Sequence, residues 1–341
     1  MKSSWLVLIV LCIFFLSCHN DGKKIEGEKV VSDSTKVLLE ALNKRISDNE
    51  SDPLLYNQRA RVYLLDQQFD KALKDINKAL SLAPDSPQLY ITLSDVYLLM
   101  GQTKNCEGAL KQALSLQPGN NAALLRMAKL HLVLRDYPAT FDDVQKALKV
   151  EPVNPQAYFT RAIALLEKGD TVSAVYDLKK AVDQDQHYYE AYLELGELYA
   201  MKKDNMAAAY IKNALNVRPA SKEALYMLGM FYQENGQYDK AIETYATLSL
   251  VDSTYRNAPY NTGYIYLVYL KDFKLAIQFF SEAIKRDREY AEAWFNRGYA
   301  YELSGDFKNA YSDYQQVLKL KVNYEKAIEG LNRLEKKGVI R

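Results

Sequence analysis

Cysteine, histidine, proline and glycine are all scarce in these 341 residues, and each scarcity excludes something. The three cysteines are Cys12, Cys18 and Cys106; Cys12 lies inside an apolar run, so there is no basis for a disulfide framework. Only 14 glycines and 9 prolines leave little room for turn-rich β architecture, and helix is favoured. Histidine occurs only as His19, His131 and His187. There is no H-E-x-x-H, no G-x-S-x-G, no P-loop and no cysteine pair to hold zinc, so no enzyme, metal site or cofactor is expected. Charge of one sign is lacking too. The formal charge of +1, from 44 basic and 43 acidic residues, creates no net field for a nucleic-acid backbone.

What is present begins with MKSSWLVLIVLCIFFLSCHN. Lys2 precedes an apolar run from Trp5 to Leu16 that has the positive start of a secretory signal and is too short to span a bilayer. It ends Phe15-Leu16-Ser17-Cys18, which resembles the lipobox of bacterial lipoproteins, although Phe15 departs from the usual aliphatic residue. The resemblance implies a signal peptide over residues 1–17 and diacylation of Cys18, which becomes the first mature residue. Two or three acyl chains suffice for stable membrane anchoring. Residues 18–34 are polar without apolar period and read as a flexible tether reaching roughly 20 Å. A leading helix is expected over residues 35–52, capped by Ser34, with Val37, Leu38, Ala41, Leu42 and Ile46 on one face.

From Pro53 the chain repeats itself. LYNQRARVYLLDQQFDKALKDINKALSLAP at 55–84 aligns with LYITLSDVYLLMGQTKNCEGALKQALSLQP at 89–118, a period of 34. A small residue recurs at Ala60, Ser94, Ala128, Ala162, Gly196, Gly229, Gly263 and Gly298. Three positions later stands a packing column of Tyr63, Tyr97, His131, Leu165, Tyr199, Tyr232, Tyr266 and Tyr301. A second small column opens the second helix at Ala72, Cys106, Thr140, Ala174, Ala207, Ala241, Ala276 and Ala310, which makes Cys106 a small buried apolar residue. Prolines close the early repeats at Pro84, Pro118, Pro152 and Pro219.

This pattern resembles the tetratricopeptide repeat, a pair of antiparallel helices stacked into a superhelix. The resemblance implies an all-α α-solenoid of about eight helix pairs over 53–324, with a leading half repeat and a closing helix and tail over 325–341. The fifth repeat is one residue short near Asn205 and the seventh one residue long near Lys271, both changes being expected in turns. Leu248, Ser253 and Pro259 depart from the pattern around the sixth-to-seventh junction and read as repeat drift.

The family's members are mostly scaffolds that hold a partner on their concave helices. In each first helix, two positions outside the signature face that side. They run from Asn57 and Arg61 through Leu193 and Glu197 to Tyr226 and Met230, Tyr260 and Tyr264, and Phe295 and Tyr299, so the later groove is aromatic. Rings with a methionine beside them have the composition of a binding surface. Beside them Glu190, Glu194 and Glu197 share one helical face, with Glu223 in the next repeat; like charges at this spacing repel, so lysines or a basic partner should compensate.

The expected protein is a lipid-anchored adaptor binding envelope proteins or peptides, on the outer membrane facing the periplasm. The alternative is a glycan-binding lipoprotein that stacks sugars on the aromatic strip, with Asn261 and Asn296 as its polar partners.

Overall fold

The computed structural model describes residues 33–338. The proposed signal peptide, Cys18 and nearly all of the tether lie outside them. The described chain is eighteen α-helices with no strand. It divides into two compact units, one ending at Gln184 and the other beginning at Asp185. The first contains α1 (Asp33–Asp48), α2 (Pro53–Leu65), α3 (Phe69–Leu82), α4 (Pro87–Leu99), α5 (Thr103–Leu116), α6 (Asn121–Val133), α7 (Tyr137–Val150), α8 (Pro155–Glu167) and α9 (Thr171–Gln184). The second contains α10 (Tyr189–Met201), α11 (Met206–Val217), α12 (Lys222–Glu234), α13 (Tyr238–Val251), α14 (Asn257–Ile265), α15 (Phe273–Arg286), α16 (Ala291–Ser304), α17 (Phe307–Leu320) and α18 (Glu325–Lys336). Each unit is thus four antiparallel pairs plus one extra helix, at the start of the first and the end of the second.

Every first helix stops at a residue in the left-handed region, which no helix can continue through. These stops are Gln67, Gly101, Arg135, Gly169, Lys203, Gly236, Lys271 and Gly305. They locate the two length changes. The residue missing from the fifth repeat is lost between Lys203 and Ala207, in the turn as expected. The extra residue of the seventh is not in a turn. It lies inside the first helix, where α14 passes into a π-helical turn, Tyr266–Leu270, before stopping at Lys271.

The pairs close on a size-matched contact. In the first unit the small column is Ala60, Ser94, Ala128 and Ala162, and the second helices carry Ile76, Leu110, Val144 and Leu178; all eight are buried. In the second unit the small residue is always glycine: the rings of Tyr245, Phe280 and Tyr314 take the partner position in three pairs, and in the unit's first pair Ile211, the same residue type as Ile76, simply comes closer. A Cβ on Gly196 would stand 2.5 Å from Ile211, and one on Gly229 2.5 Å from the Tyr245 ring. Gly196→Leu or Ala162→Leu is therefore expected to destabilise by about 1–3 kcal/mol. Urea unfolding of each variant beside the native chain measures the loss, and an unchanged midpoint would mean that the helix pairs meet elsewhere.

Charged clamps tie helices within three pairs. The guanidinium of Arg59 grips Asp75 at 2.6 and 2.7 Å, Arg161 grips Asp177 at 2.6 and 2.8 Å, and Arg297 grips Asp313 at 2.8 Å twice. His131, read as a core filler, places Nδ1 2.7 Å from Asp143 in the pair where methionine replaces that arginine. Cys106 is buried in one cluster with Ile91, Leu98 and Leu110 as expected, and burial pushes its thiol up to about 12.

The leading helix differs from its expectation. α1 already runs at Asp33, so Ser34 lies within it instead of capping it. Leu39, Leu42 and Ile46 form the buried stripe while Val37, Leu38 and Ala41 are exposed. Around the sixth-to-seventh junction, Leu248 and Pro259 are simply buried. The closing helix is held more firmly than a polar lid would be. Arg333 donates to the buried Glu302 carboxylate at 2.9 and 2.8 Å, and the Tyr314 hydroxyl donates to the same group at 2.8 Å.

Candidate functional site

The two units treat the expected concave positions differently. In the first unit Asn57, Ile91, Leu125, Phe159 and Ile163 are buried and Asp95 is taken up by Arg126 at 2.8 Å, while Lys129 is half-buried and Arg61 exposed. In the second unit Leu193, Tyr226, Met230, Tyr260, Tyr264, Phe295 and Tyr299 all remain partly exposed. The candidate site is therefore a groove in the second unit alone.

A device absent from the sequence reading builds it. Helix starts favour Ser, Asn or Asp, whose side chains accept an orphan amide. The first unit mostly obeys: Asp52, Asn120 and Asn154 each accept a first-turn N–H, and Ser86 holds the place before α4 without making the bond. In the second unit Ser221 still caps α12, accepting from the Ala224 N–H at 3.1 Å, but tyrosines occupy this place at Tyr188, Tyr290 and Tyr324 and make no such bond. Tyr255 stands in the same column before α14. The cap energy forgone, about 1 kcal/mol each, is offset by rings that pack across consecutive pairs. Tyr226 meets Tyr255 edge-on at 5.8 Å, Tyr260 meets Tyr290 at 4.8 Å, and Phe295 meets Tyr324 at 5.5 Å. The recurrence of tyrosine at the cap column, at 188 and then at 255, 290 and 324 with Ser221 between, was the signal in the sequence.

One ring of each pair is thus partly consumed in packing, whereas Tyr264 and Tyr299 stand one turn further along their helices. Tyr264 lies 6.2 Å from Tyr269 of the π-turn, and Tyr299 stacks beside Phe295 at 6.3 Å, with Arg333 5.8 Å over its face. The strip ends in a cavity of about 490 Å³ lined by Phe295, Tyr299 and Leu303 and by the charged Glu302, Lys326, Glu329 and Arg333. Lys326 and Arg333 belong to the closing helix, which as a mere lid offered no site residues. The polar partners of a sugar site are spent: the Asn261 amide donates to the Tyr245 hydroxyl at 3.2 Å, and that of Asn296 to Tyr260 at 2.9 Å.

The acidic face opens the groove at α10. Glu190 accepts from Arg218 at 2.7 Å, and Arg218 lies 4.0 Å over the Tyr189 ring. Among the described residues no lysine or arginine pairs with Glu194, Glu197 or Glu223, so the expected compensation by neighbouring lysines is missing. Burial, then the charges of Glu197 and Glu223, push the Glu194 carboxyl up to about 7. Glu197 and Glu223 are exposed at the rim of this face; partial desolvation by neighbouring groups and the charge of Glu197 raise Glu223, against the pull of Arg218. A carboxyl raised on folding favours the native state while protonated, so this contribution is present at low pH and is lost as pH rises through about 7. Thermal stability of the free chain should fall across that range, and Glu194→Gln should flatten the dependence. A native profile no steeper than that of the variant would show that Glu194 is solvated.

No trio of His, Cys, Asp or Glu among the described residues is placed to hold a metal ion. His187 is on an exposed turn, and His131 is engaged with Asp143.

Models of the tetratricopeptide repeat match residues 53–86, 87–120, 125–189, 205–258, 260–290 and 291–324. The chain belongs to the tetratricopeptide repeat family. The C-terminal part of a repeat-containing protein from Cytophaga hutchinsonii superposes with a TM-score of 0.62 at 18% identity, over 71% of this chain and 99% of that one. The human IFIT1 dimer with PPP-AAAA gives 0.53 at 17% identity, over 84% and 68%. RNA polymerase II-associated protein 3 of Xenopus tropicalis is 33% identical over 108 residues, and the match spans 32% of this chain and only 16% of that relative's length. The solved structures speak to fold alone. The family makes this tetratricopeptide repeat protein a protein-interaction scaffold, and no helix among its described residues is long and apolar enough to cross a membrane.

Proposed function

We propose that this scaffold is a lipid-anchored adaptor of the bacterial cell envelope, held by Cys18 to the outer membrane and facing the periplasm, whose second unit binds partner proteins or peptides. The observation that carries the groove is the contrast between units: the apolar concave positions Ile91, Leu125, Phe159 and Ile163 are closed by packing in the first, where only the charged positions stay open, and the apolar positions of the second are left as a half-exposed aromatic strip. Tyr264 and Tyr299 are its best-placed anchors, since neither ring bridges consecutive pairs through the cap column. Truncating both to alanine is expected to cost about 2 kcal/mol or more of binding at each anchor while changing folding stability much less. The readout is capture of envelope partners by the double variant, with melting in parallel. Undiminished capture, or a stability loss as large as that of a core variant, would remove the site. The glycan reading lacks comparable support, because Asn261 and Asn296 are already engaged.

The anchor is supported by the apolar run that ends in Phe15-Leu16-Ser17-Cys18. Labelled palmitate should enter the native chain and not Cys18→Ala, which should also stay uncleaved or mislocalised. Equal label in both would overturn the lipoprotein reading.

A further inference from the structure

The acidic end of the groove holds more negative charge than the protein itself neutralises. Glu190 and Glu194 are four residues apart on α10, and Glu194 and Glu197 are three apart, so all three crowd one face. From α12, Glu223 adds a fourth carboxylate close enough to raise Glu194. Among the described residues the one cation paired within the cluster is Arg218, already held by Glu190. Only Glu194 is partly buried, Glu197 and Glu223 being exposed at its rim; placing that one carboxylate among others without a counter-charge costs folding free energy, and a bound cation would return it. The carboxylates do not converge as metal ligands. The next groove ring, Tyr226, stands three residues from Glu223 on α12, one turn along the same face. It offers a surface on which a cation and its stem can lie. At the far end of the strip, the 490 Å³ cavity has room for a bulky apolar side chain.

We propose that Glu194, Glu197 and Glu223 form the receptor for one arginine or lysine side chain of an extended partner segment whose following residues are aromatic or apolar. This rests on the groove reading above and gives it chemistry and direction. The basic residue enters between α10 and α12, the apolar residues lie along Tyr226, Tyr260 and Tyr264, and the last apolar side chain fills the cavity by Phe295 and Tyr299. Seating the cation keeps Glu194 ionised, so binding should tighten from pH 6 to pH 8, with Glu190, Glu197, Glu223 and Arg218 the charged groups around it.

The test uses the full chain and a random twelve-residue peptide library displayed on phage. Selected peptides should share one basic position followed by aromatic or apolar residues. Replacing that residue by norleucine should weaken binding at least tenfold, and Glu194→Gln with Glu223→Gln should erase the difference between the two peptides. Those variants should be at least as stable as the native chain, because they remove uncompensated charge. Peptides that lack a basic position yet still depend on Tyr264 and Tyr299 would overturn the receptor and leave the groove standing. A selection yielding nothing that depends on those rings would overturn the groove reading and the receptor with it.

Discussion

Replacing Arg297 by methionine should lower the unfolding free energy by about 3–5 kcal/mol, the usual cost of stranding one member of a buried ion pair. Arg297 donates twice to Asp313, which is 3% exposed, and its remaining nitrogen reaches the Ser281 hydroxyl at 3.0 Å. The guanidinium also lies 4.6 Å over Trp294, so the replacement keeps most of the stem packing and loses the charge. Burial already raises the Asp313 carboxyl and Arg297 holds it down; without the arginine it must rise further. The deficit should therefore shrink as pH falls and Asp313 becomes protonated. Arg297→Met combined with Asp313→Leu should recover most of the loss, since an apolar pair of similar volume removes the unpaired charge. Urea unfolding followed by circular dichroism measures all three proteins. A single variant within 1 kcal/mol of native would show the clamp to be ornamental, and an unrecovered double variant would assign the loss to packing.

Tyr314→Ala should be equally damaging, at about 3–5 kcal/mol. Its ring is fully buried and has glycine on two helices: a Cβ on Gly298 would come within 3.1 Å of it, and one on Gly330 within 2.5 Å. Its hydroxyl also holds Glu302, whose carboxyl burial alone would raise but which Arg333 and Tyr314 together keep below the usual range. The diagnostic is a double-mutant cycle. Gly330→Ala should destabilise the native chain by crowding the ring. In the Tyr314→Ala background it should be neutral or favourable, because the crowding is gone and alanine suits a helix better than glycine by about 1 kcal/mol. Additive effects in the cycle would place Gly330 away from the ring.

Much of this fold was legible because the repeats are read against one another. The small column, the packing column and the place of Cys106 follow from residues 34 apart, with no need for long-range contacts. What stayed hidden depends on residues in different helices. Glycine replaces alanine at Gly229, Gly263 and Gly298 because the rings of Tyr245, Phe280 and Tyr314 lean into it, and that reason appears only when two columns are compared for size; at Gly196 it is the close approach of Ile211 alone, which no comparison of residue types shows. The three carboxylates of α10 were visible as a face. That Glu194 is partly buried without a cation is a property of α10 and α12 together. The same holds for the groove: the side chains at Phe159 and Phe295 are identical, yet one is 2% exposed and the other partly open. The cap tyrosines defeated the reading for a local reason, since a tyrosine at a helix start breaks the capping rule and draws no attention as a contact.

The π-turn in the seventh repeat shows how an array built on a fixed spacing absorbs an error. Between Gly263 and Lys271 the chain carries one residue more than its sisters, while from Lys271 to Ala276 the spacing is the same as from Gly305 to Ala310. A surplus residue threaded through an ordinary helix would turn everything after it by about 100°. Here the widened turn takes it up within five residues, and the left-handed stop resets the phase before α15 begins. The local outlay is an outward bulge that leaves Val268, Tyr269 and Leu270 exposed, with Tyr269 stacked on Tyr238 at 4.5 Å. Insertions of this kind are thus quarantined. Such a chain can change length inside one repeat and still present every later groove residue in its original orientation.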